Sequence, residues 1–250
     1  MPSYKKKRLD HFLVECGLAA TRAQAADMVR RGGVNVGGKV ATKPGALVTP
    51  DAVVTVSAGA APYVSRGGLK LAAALDAFGL DPRGRVALDL GASTGGFSDV
   101  LLARGATKIY AVDVGHGQLH PSLRADPRLV SLEGIDARRL DTILVGEPVE
   151  AIVADVSFIS LTLVLPPALR LAAPGAWLVA LIKPQFEAGR EAVGKGGVVK
   201  DEAAREAAVT RVRNFVAGVS GWTVLGVIHS PIEGGSGNQE FLLAARYEQS

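Results

Sequence analysis

Hydrophobic positions in the first sixty or so residues follow two different periods. In "RLDHFLVECGL" (8–18), Leu9, Phe12, Leu13 and Cys16 fall on one face of a helical repeat. Thr21 precedes a second such run, "RAQAADMVRRG", as a candidate N-cap. Ala25, Met28 and Val29 point inward there, and Gly32-Gly33 stops it. The period then shortens. "VNVGGKV" alternates around Gly37-Gly38, a two-residue hairpin signal, and "DAVVTVS" is one more short strand. This pattern predicts two helices and a small sheet over residues 1–60. "AGAAPYV" (58–64) has no period, and within it residues 61–64 read as a linker.

From residue 65 onward helix and strand patterns alternate. "GLKLAAALDAFG" is helical, "RVALDLG" a buried strand, "FSDVLLARG" a helix, and "KIYAVDVG" and "EAIVADVS" strands. "LTLVLPPALRLAA" reads as a helix with a proline break, "AWLVALI" as a strand, and "KDEAAREAAVTRVRNFVAGV" as a long helix. "WTVLGVIHS" and "QEFLLAARY" are close enough to be antiparallel neighbours. Such alternation predicts an α/β domain, a Rossmann-like, mostly parallel open sheet with helices on both faces, over residues 65–250.

Charge changes this picture in one respect. Residues 1–60 hold 9 Lys and Arg against 4 Asp and Glu, whereas the remaining 190 residues hold 19 against 20. The whole basic excess lies in the small α+β unit, which suits a polyanion-binding module. Cys16 is the single cysteine, which excludes an internal disulfide and a cysteine-rich zinc site, and the four histidines show no ligand spacing, so no metal is expected. The start of the chain has no signal-peptide pattern, and Arg170, Pro166, Pro167 and Pro174 interrupt the longest apolar region. A soluble, cytoplasmic protein is the expectation.

The first of these segments resembles the S4 RNA-binding domain, on the residues "RLDHFL…GLAATRAQAADMVRRGGVNVGGKVATKP". The resemblance implies that basic side chains, here Lys7, Arg8, Arg22, Arg30, Arg31 and Lys39, meet RNA phosphates. Arg66 joins them at the domain boundary. Arg190 and Lys195 do so in "EAGREAVGKGGVV" (187–199), which reads as a mobile loop.

In an open α/β sheet, ligands bind beyond the carboxyl ends of the strands. "LDLGASTGGFSDV" supplies Asp89, Gly91, Ser93, Gly95, Gly96 and Phe97 at the first such end, with glycines permitting close backbone approach. Asp113 ends the next strand, 24 residues after Asp89, where an acid accepts ribose hydroxyls. Asp136, after a third strand, either meets an adenine amino group or caps a helix. NAD and S-adenosylmethionine both remain open on this pattern. The D-x-G-x-x-x-G-G spacing fits the second better, since it is not the pyrophosphate-binding G-x-G-x-x-G.

Four charged residues fall at strand ends or beside them: Lys70 before the first strand of the sheet, Asp155 after "EAIVA", Lys183 after "AWLVALI" and Glu240 before "FLLAARY". Together with "SRGGLKL", "DVSFISL", "LIKPQFEAGRE", "GKGGVV" and "SPIEGGSGNQEFLL", they resemble the TlyA family over residues 8–246. That family joins an S4 domain to an FtsJ-like methyltransferase domain. The resemblance implies 2′-O-methylation of cytidine in ribosomal RNA from S-adenosylmethionine. Its catalytic tetrad falls on Lys70, Asp155, Lys183 and Glu240, with Lys183 as general base and Asp155 also near the cofactor. The short segments outside Arg8 and Glu240 favour a large-subunit (23S) target over an additional small-subunit one. A non-catalytic ribosome-assembly factor, an NAD-dependent oxidoreductase and a membrane-active hemolysin are the competing readings.

Overall fold

The computed structural model describes residues 6–19, 21–30, 33–56, 63–234 and 237–248. The chain divides into two compact units, Met1–Arg66 and Gly67–Ser250. In the smaller unit β1 (Lys7–Arg8) leads into α1 (Leu9–Glu15), followed by α2 (Arg22–Arg30), β2 (Val34–Val36), β3 (Lys39–Val40), β4 (Leu47–Val48) and β5 (Val54–Val56). Thr21 Oγ1 accepts the Gln24 N–H at 3.2 Å at the start of α2, as its N-cap position requires. Gly37 and Gly38 take φ of 56° and 79°, the left-handed pair that a two-residue hairpin turn demands. β3 and β5 flank β2 in a three-stranded antiparallel sheet. Leu9, Leu13, Ala25, Val29 and Val34 are fully buried in a shared core. The patterning did not predict the pairing of β1 with β4. Two-residue strands carry no readable period, and this contact joins residues forty positions apart.

The larger unit runs α3 (Gly67–Phe78), β6 (Val86–Leu90), α4 (Gly96–Ala103), β7 (Lys108–Asp113), α5 (Pro121–Arg124), β8 (Leu129–Glu133), α6 (Thr142–Val145), β9 (Val149–Ala154), α7 (Leu161–Leu169), β10 (Ala172–Ile182), α8 (Pro184–Glu187), α9 (Glu202–Ala217), β11 (Trp222–His229) and β12 (Phe241–Tyr247). The seven strands lie in the order β11-β12-β10-β9-β6-β7-β8. Only β12 opposes the rest, pairing antiparallel with both β10 and β11. The β9 and β10 centres are wholly buried, as expected for parallel strands covered on both faces, so they read as unbroken apolar runs.

One expectation fails at α7, which continues through Pro166 and Pro167 instead of breaking. Those prolines remove donors to the carbonyls of Thr162 and Leu163. Both lie at least partly exposed, where water supplies partners, while Leu165, Pro167 and Ala168 pack into the core. Tertiary burial therefore outweighs the local break.

Candidate active site

Strand register brings the charged residues together. Ile182 pairs with Phe241 across β10 and β12, so the next residue outward on each side is Lys183 and Glu240. Because β12 runs opposite to β10, its first residues lie at the carboxyl edge of the parallel strands. Leu90 pairs with Ala154 and with Val112, which sets Gly91, Asp155 and Asp113 side by side along that edge.

The four tetrad candidates form two ion pairs. Lys70 Nζ donates to Glu240 Oε2 at 2.5 Å, with side chains only 10% and 2% exposed. Lys183 Nζ lies 2.7 Å from Asp155 Oδ1, in a direction that does not make a hydrogen bond. Its directed bond goes to Ser157 Oγ at 2.8 Å.

Beside Asp155 opens a cleft of about 480 Å³. Gly91, Ser93, Asp113, Asp136 and Asp155 line it, with apolar walls from Val112, Ile135, Val156 and Val164. Asp113 accepts the Ser93 N–H at 2.8 Å on Oδ2 and the Gly115 N–H at 2.7 Å on Oδ1. Ser93 sits at φ 48° and its hydroxyl donates to Gln118 at 3.1 Å. Asp136 takes the cap position that competed with the adenine reading: it accepts the Arg138 N–H at 2.9 Å and pairs with the Arg138 guanidinium. That guanidinium, first of all, holds its carboxyl well below the usual range, at about 2. It still lines the cleft.

Residues of the glycine loop also pack closely against the rest of the unit. A Cβ on Gly95 would overlap Leu123 and Leu119 of the α5 region, so side chains of this unit occupy that face of the glycine. Phe97 is buried at 3% exposure. Gly96 opens α4. Gly91 is held at φ 79° against the Asp155 carbonyl, where a Cβ would come to 2.6 Å. Asp89 is completely buried behind the turn, with Ser98 Oγ donating to it at 2.7 Å. Burial pushes its carboxyl up to about 7, against the Ser98 hydrogen bond, with the Asp155 and Asp113 charges adding to the rise.

Sequence reasoning did not single out Ser157, Gln118 or Glu187, although "DVSFISL", "GHGQL" and "KPQFE" contain them. Glu187, assigned to the start of a mobile loop, is 2% exposed and ends α8. The loop after it is tied at its far end: Asn238 accepts the Val199 N–H at 3.1 Å and donates to the Gly197 carbonyl at 2.9 Å.

In the smaller unit, several candidate RNA contacts already hold acids. Lys7 pairs with Glu15 at 2.6 Å and Arg66 with Asp27 at 3.2 Å. Arg8 grips the buried Asp10 through two hydrogen bonds of 3.0 and 2.7 Å, and Arg22 adds a contact at 3.6 Å. Lys39 and Lys195 are exposed. Arg31 and the side chains of Arg30 and Arg190 lie outside the described residues.

No group of three or more His, Cys, Asp or Glu among the described residues is arranged to hold a metal ion. Nor is any helix among them long and apolar enough to cross a membrane.

Comparison with known proteins gives the family. The family model of the FtsJ-like methyltransferase matches residues 63–247 and that of the S4 domain residues 7–54. The chain is 46% identical over 243 residues to the 16S/23S rRNA (cytidine-2′-O)-methyltransferase TlyA of Mycobacterium tuberculosis, covering 97% of this chain and 90% of that one. It is 40% identical over 180 residues to the 23S rRNA (cytidine-2′-O)-methyltransferase TlyA of Campylobacter jejuni, covering 72% and 69%. A solved structure, "Putative hemolysin from Streptococcus thermophilus", superposes with a TM-score of 0.76 at 40% identity, over 99% of this chain and 90% of that one. With an S4 domain ahead of a matching catalytic domain and relatives aligned along nearly its whole length, the chain belongs to the FtsJ-like methyltransferase family, in its TlyA branch.

Proposed function

We propose that this protein transfers a methyl group from S-adenosylmethionine to the 2′-hydroxyl of a cytidine in 23S ribosomal RNA. The observation that carries this reading is the juxtaposition of the Lys183–Asp155 pair with the cleft at the carboxyl edge of the sheet. The 23S cytidine is the substrate common to the two named activities of the relatives.

The cleft's chemistry fits the cofactor. Asp113 presents two carboxylate oxygens to ribose hydroxyls, and Ile135, Val156 and Val164 offer apolar walls to a purine. Bound there, S-adenosylmethionine supplies a methyl group already activated by its sulfonium. Lys183 takes the 2′-hydroxyl proton on Nζ. Ser157 and Asp155 orient that nitrogen from two sides. Glu240 holds Lys70 at the same edge of the sheet, where its positive charge favours the negative charge developing on the ribose oxygen.

Holding the RNA falls to residues 1–60, joined by 61–64 to a catalytic part at 65–250. Arg8 and Arg22 serve two purposes there, compensating Asp10 and facing phosphates with their exposed sides. A substrate in ribosomal subunits places the work in the cytoplasm.

The test is transfer of labelled methyl to isolated 50S and 30S subunits, followed by nucleotide mapping. The expected product is 2′-O-methylcytidine in 50S RNA. Label on a base, or none on either subunit, overturns the assignment. Label on 30S as well widens the substrate and leaves the chemistry intact.

A further inference from the structure

Two loops leave the sheet at the catalytic edge, one after β9 and one after β10, and three contacts join them like rungs. The first is Lys183 Nζ with Asp155 and Ser157. The second is Phe186 against Phe158, with ring centroids 5.1 Å apart. The third is Glu187. Its Oε1 accepts the Leu161 N–H at 2.7 Å, and its Oε2 accepts the Ser160 hydroxyl at 2.5 Å. On its other side the Glu187 carbonyl accepts a guanidinium N–H from Arg211 of α9 at 2.9 Å.

A carboxyl group this deeply buried costs free energy that an apolar residue would avoid. Ser160 Oγ accepts the Thr162 N–H at 3.2 Å, and Glu187 supplies a second cap to α7 through the Leu161 N–H. Glu187 reaches that helix start from the opposite loop. Between the first and third rungs Phe158 is held at φ 65°, a conformation that persists only where its surroundings over-determine it. The rungs flank it on both sides. The single turn of α8 begins with Lys183 as its N-cap and ends with Glu187, so fixing one end fixes the other.

We propose that Glu187 is a positioning residue: it sets the register of the β9 and β10 exit loops and so fixes Lys183 Nζ against Asp155 and Ser157. This rests on the reading of Lys183 as the base. Glu187 itself touches no reacting atom.

The test is single-turnover methyl transfer to ribosomal subunits, paired with calorimetric affinity for S-adenosylmethionine. Glu187→Ala is expected to lower the rate about a hundredfold, as a misplaced reacting group does, with KM for RNA and cofactor affinity unchanged. Glu187→Gln keeps one acceptor and an amide for Ser160, and is expected to recover most of the rate. Ser160→Ala combined with Glu187→Gln is expected to lose less than the two separate losses combined, because both remove one contact. A wild-type rate in Glu187→Ala, a loss confined to KM or cofactor affinity, or strict additivity overturns the proposal. Should Glu187→Ala not fold, the Gln and Ser160 pair decides. A readout independent of turnover separates this idea from the function itself: the side-chain NMR signal of Lys183 is expected to move in Glu187→Ala and to stay put in Glu206→Gln, an exposed control on α9. A moved Lys183 signal with an inactive wild type would sink the rRNA reading and keep the positioning role. An unmoved signal with an active wild type would do the reverse.

Discussion

Lys70–Glu240 and Lys183–Asp155 are the same two charge types, at the same edge of one sheet, and burial makes them different devices. Glu240 is 2% exposed, and Gly234 must lack a side chain because a Cβ there would overlap its carboxylate. The Ser230 N–H closes on the Glu240 carbonyl at 2.9 Å. That pair is sealed. Asp155, at 23% side-chain exposure, opens onto the cleft, and Lys183 divides its contacts between Asp155 and Ser157. A sealed pair sets geometry, because breaking it strands a charge without water. An open pair has a partner to exchange, which is what a group that takes up a proton needs.

The largest effect should come from the open pair, in rate. Lys183→Ala is expected to reduce methyl transfer between about a hundredfold and ten-thousandfold, the range for a lost general base. Cofactor affinity by calorimetry should stay put. A variant that keeps most of its turnover would make Lys183 a structural lysine.

Next in size is a stability contrast. Glu240→Ala leaves the Lys70 ammonium buried without a partner, at a cost of about 3–5 kcal/mol. Asp155→Ala removes an acid that is already 23% exposed and leaves Lys183 its hydrogen bond to Ser157, so it is expected to cost less than Glu240→Ala. Both tryptophans, Trp177 and Trp222, lie in the larger unit, so their fluorescence in urea reports on that unit alone. Equal losses would erase the distinction between the two pairs.

Asp113 tests the cleft. Replacing it with Ala is expected to weaken S-adenosylhomocysteine binding by about 1.5–3 kcal/mol, or roughly 10- to 150-fold. Asp113→Asn should not restore it fully, since its amide places N–H groups against either the Ser93 or the Gly115 donor. Unchanged affinity would make Asp113 a fastening for the loop only.

Much of this site was legible in the sequence because strand ends are legible. A charge at the end of an unbroken apolar run, as at Asp155 and Lys183, marks the edge of a parallel sheet, and an acid opening the last strand marks the same edge from the opposite direction. Side-chain neighbours were not legible. Gly95 looks like a ligand-facing glycine in "GASTGGF", yet Leu123 and Leu119 occupy its open side. Asp89 looks like a cofactor contact and proves to be sealed behind the turn. Glu187 follows "KPQF" into a polar, glycine-containing stretch, and nothing local reveals that Ser160 and Leu161 wait for it across the fold. Period and charge report on an element's own face, whereas these three depend on which other element arrives.

Asp10 offers a third kind of pair, and the smallest effect. It is buried at 3% exposure, but its partners Arg8 and Arg22 are themselves 51% and 57% exposed. The Arg8 hydrogen bonds, foremost, hold its carboxyl down at about 2, against the upward push of burial. A carboxyl lowered on folding adds stability that is fully present above the unfolded value near 4, and that is lost as pH falls from there through about 2. Solvent screening of the half-exposed arginines reduces its worth to about 1–2 kcal/mol. Met28 lies in this unit's core and is one of only two methionines in the chain, so its methyl signal reports the unit's unfolding. Between pH 6 and pH 3 its urea midpoint is expected to drop further in the wild type than in Asp10→Asn, which has no charge to lose. Parallel drops in both would mean that Arg8 and Arg22 add nothing to the fold through Asp10, and that their charge is available in full for RNA.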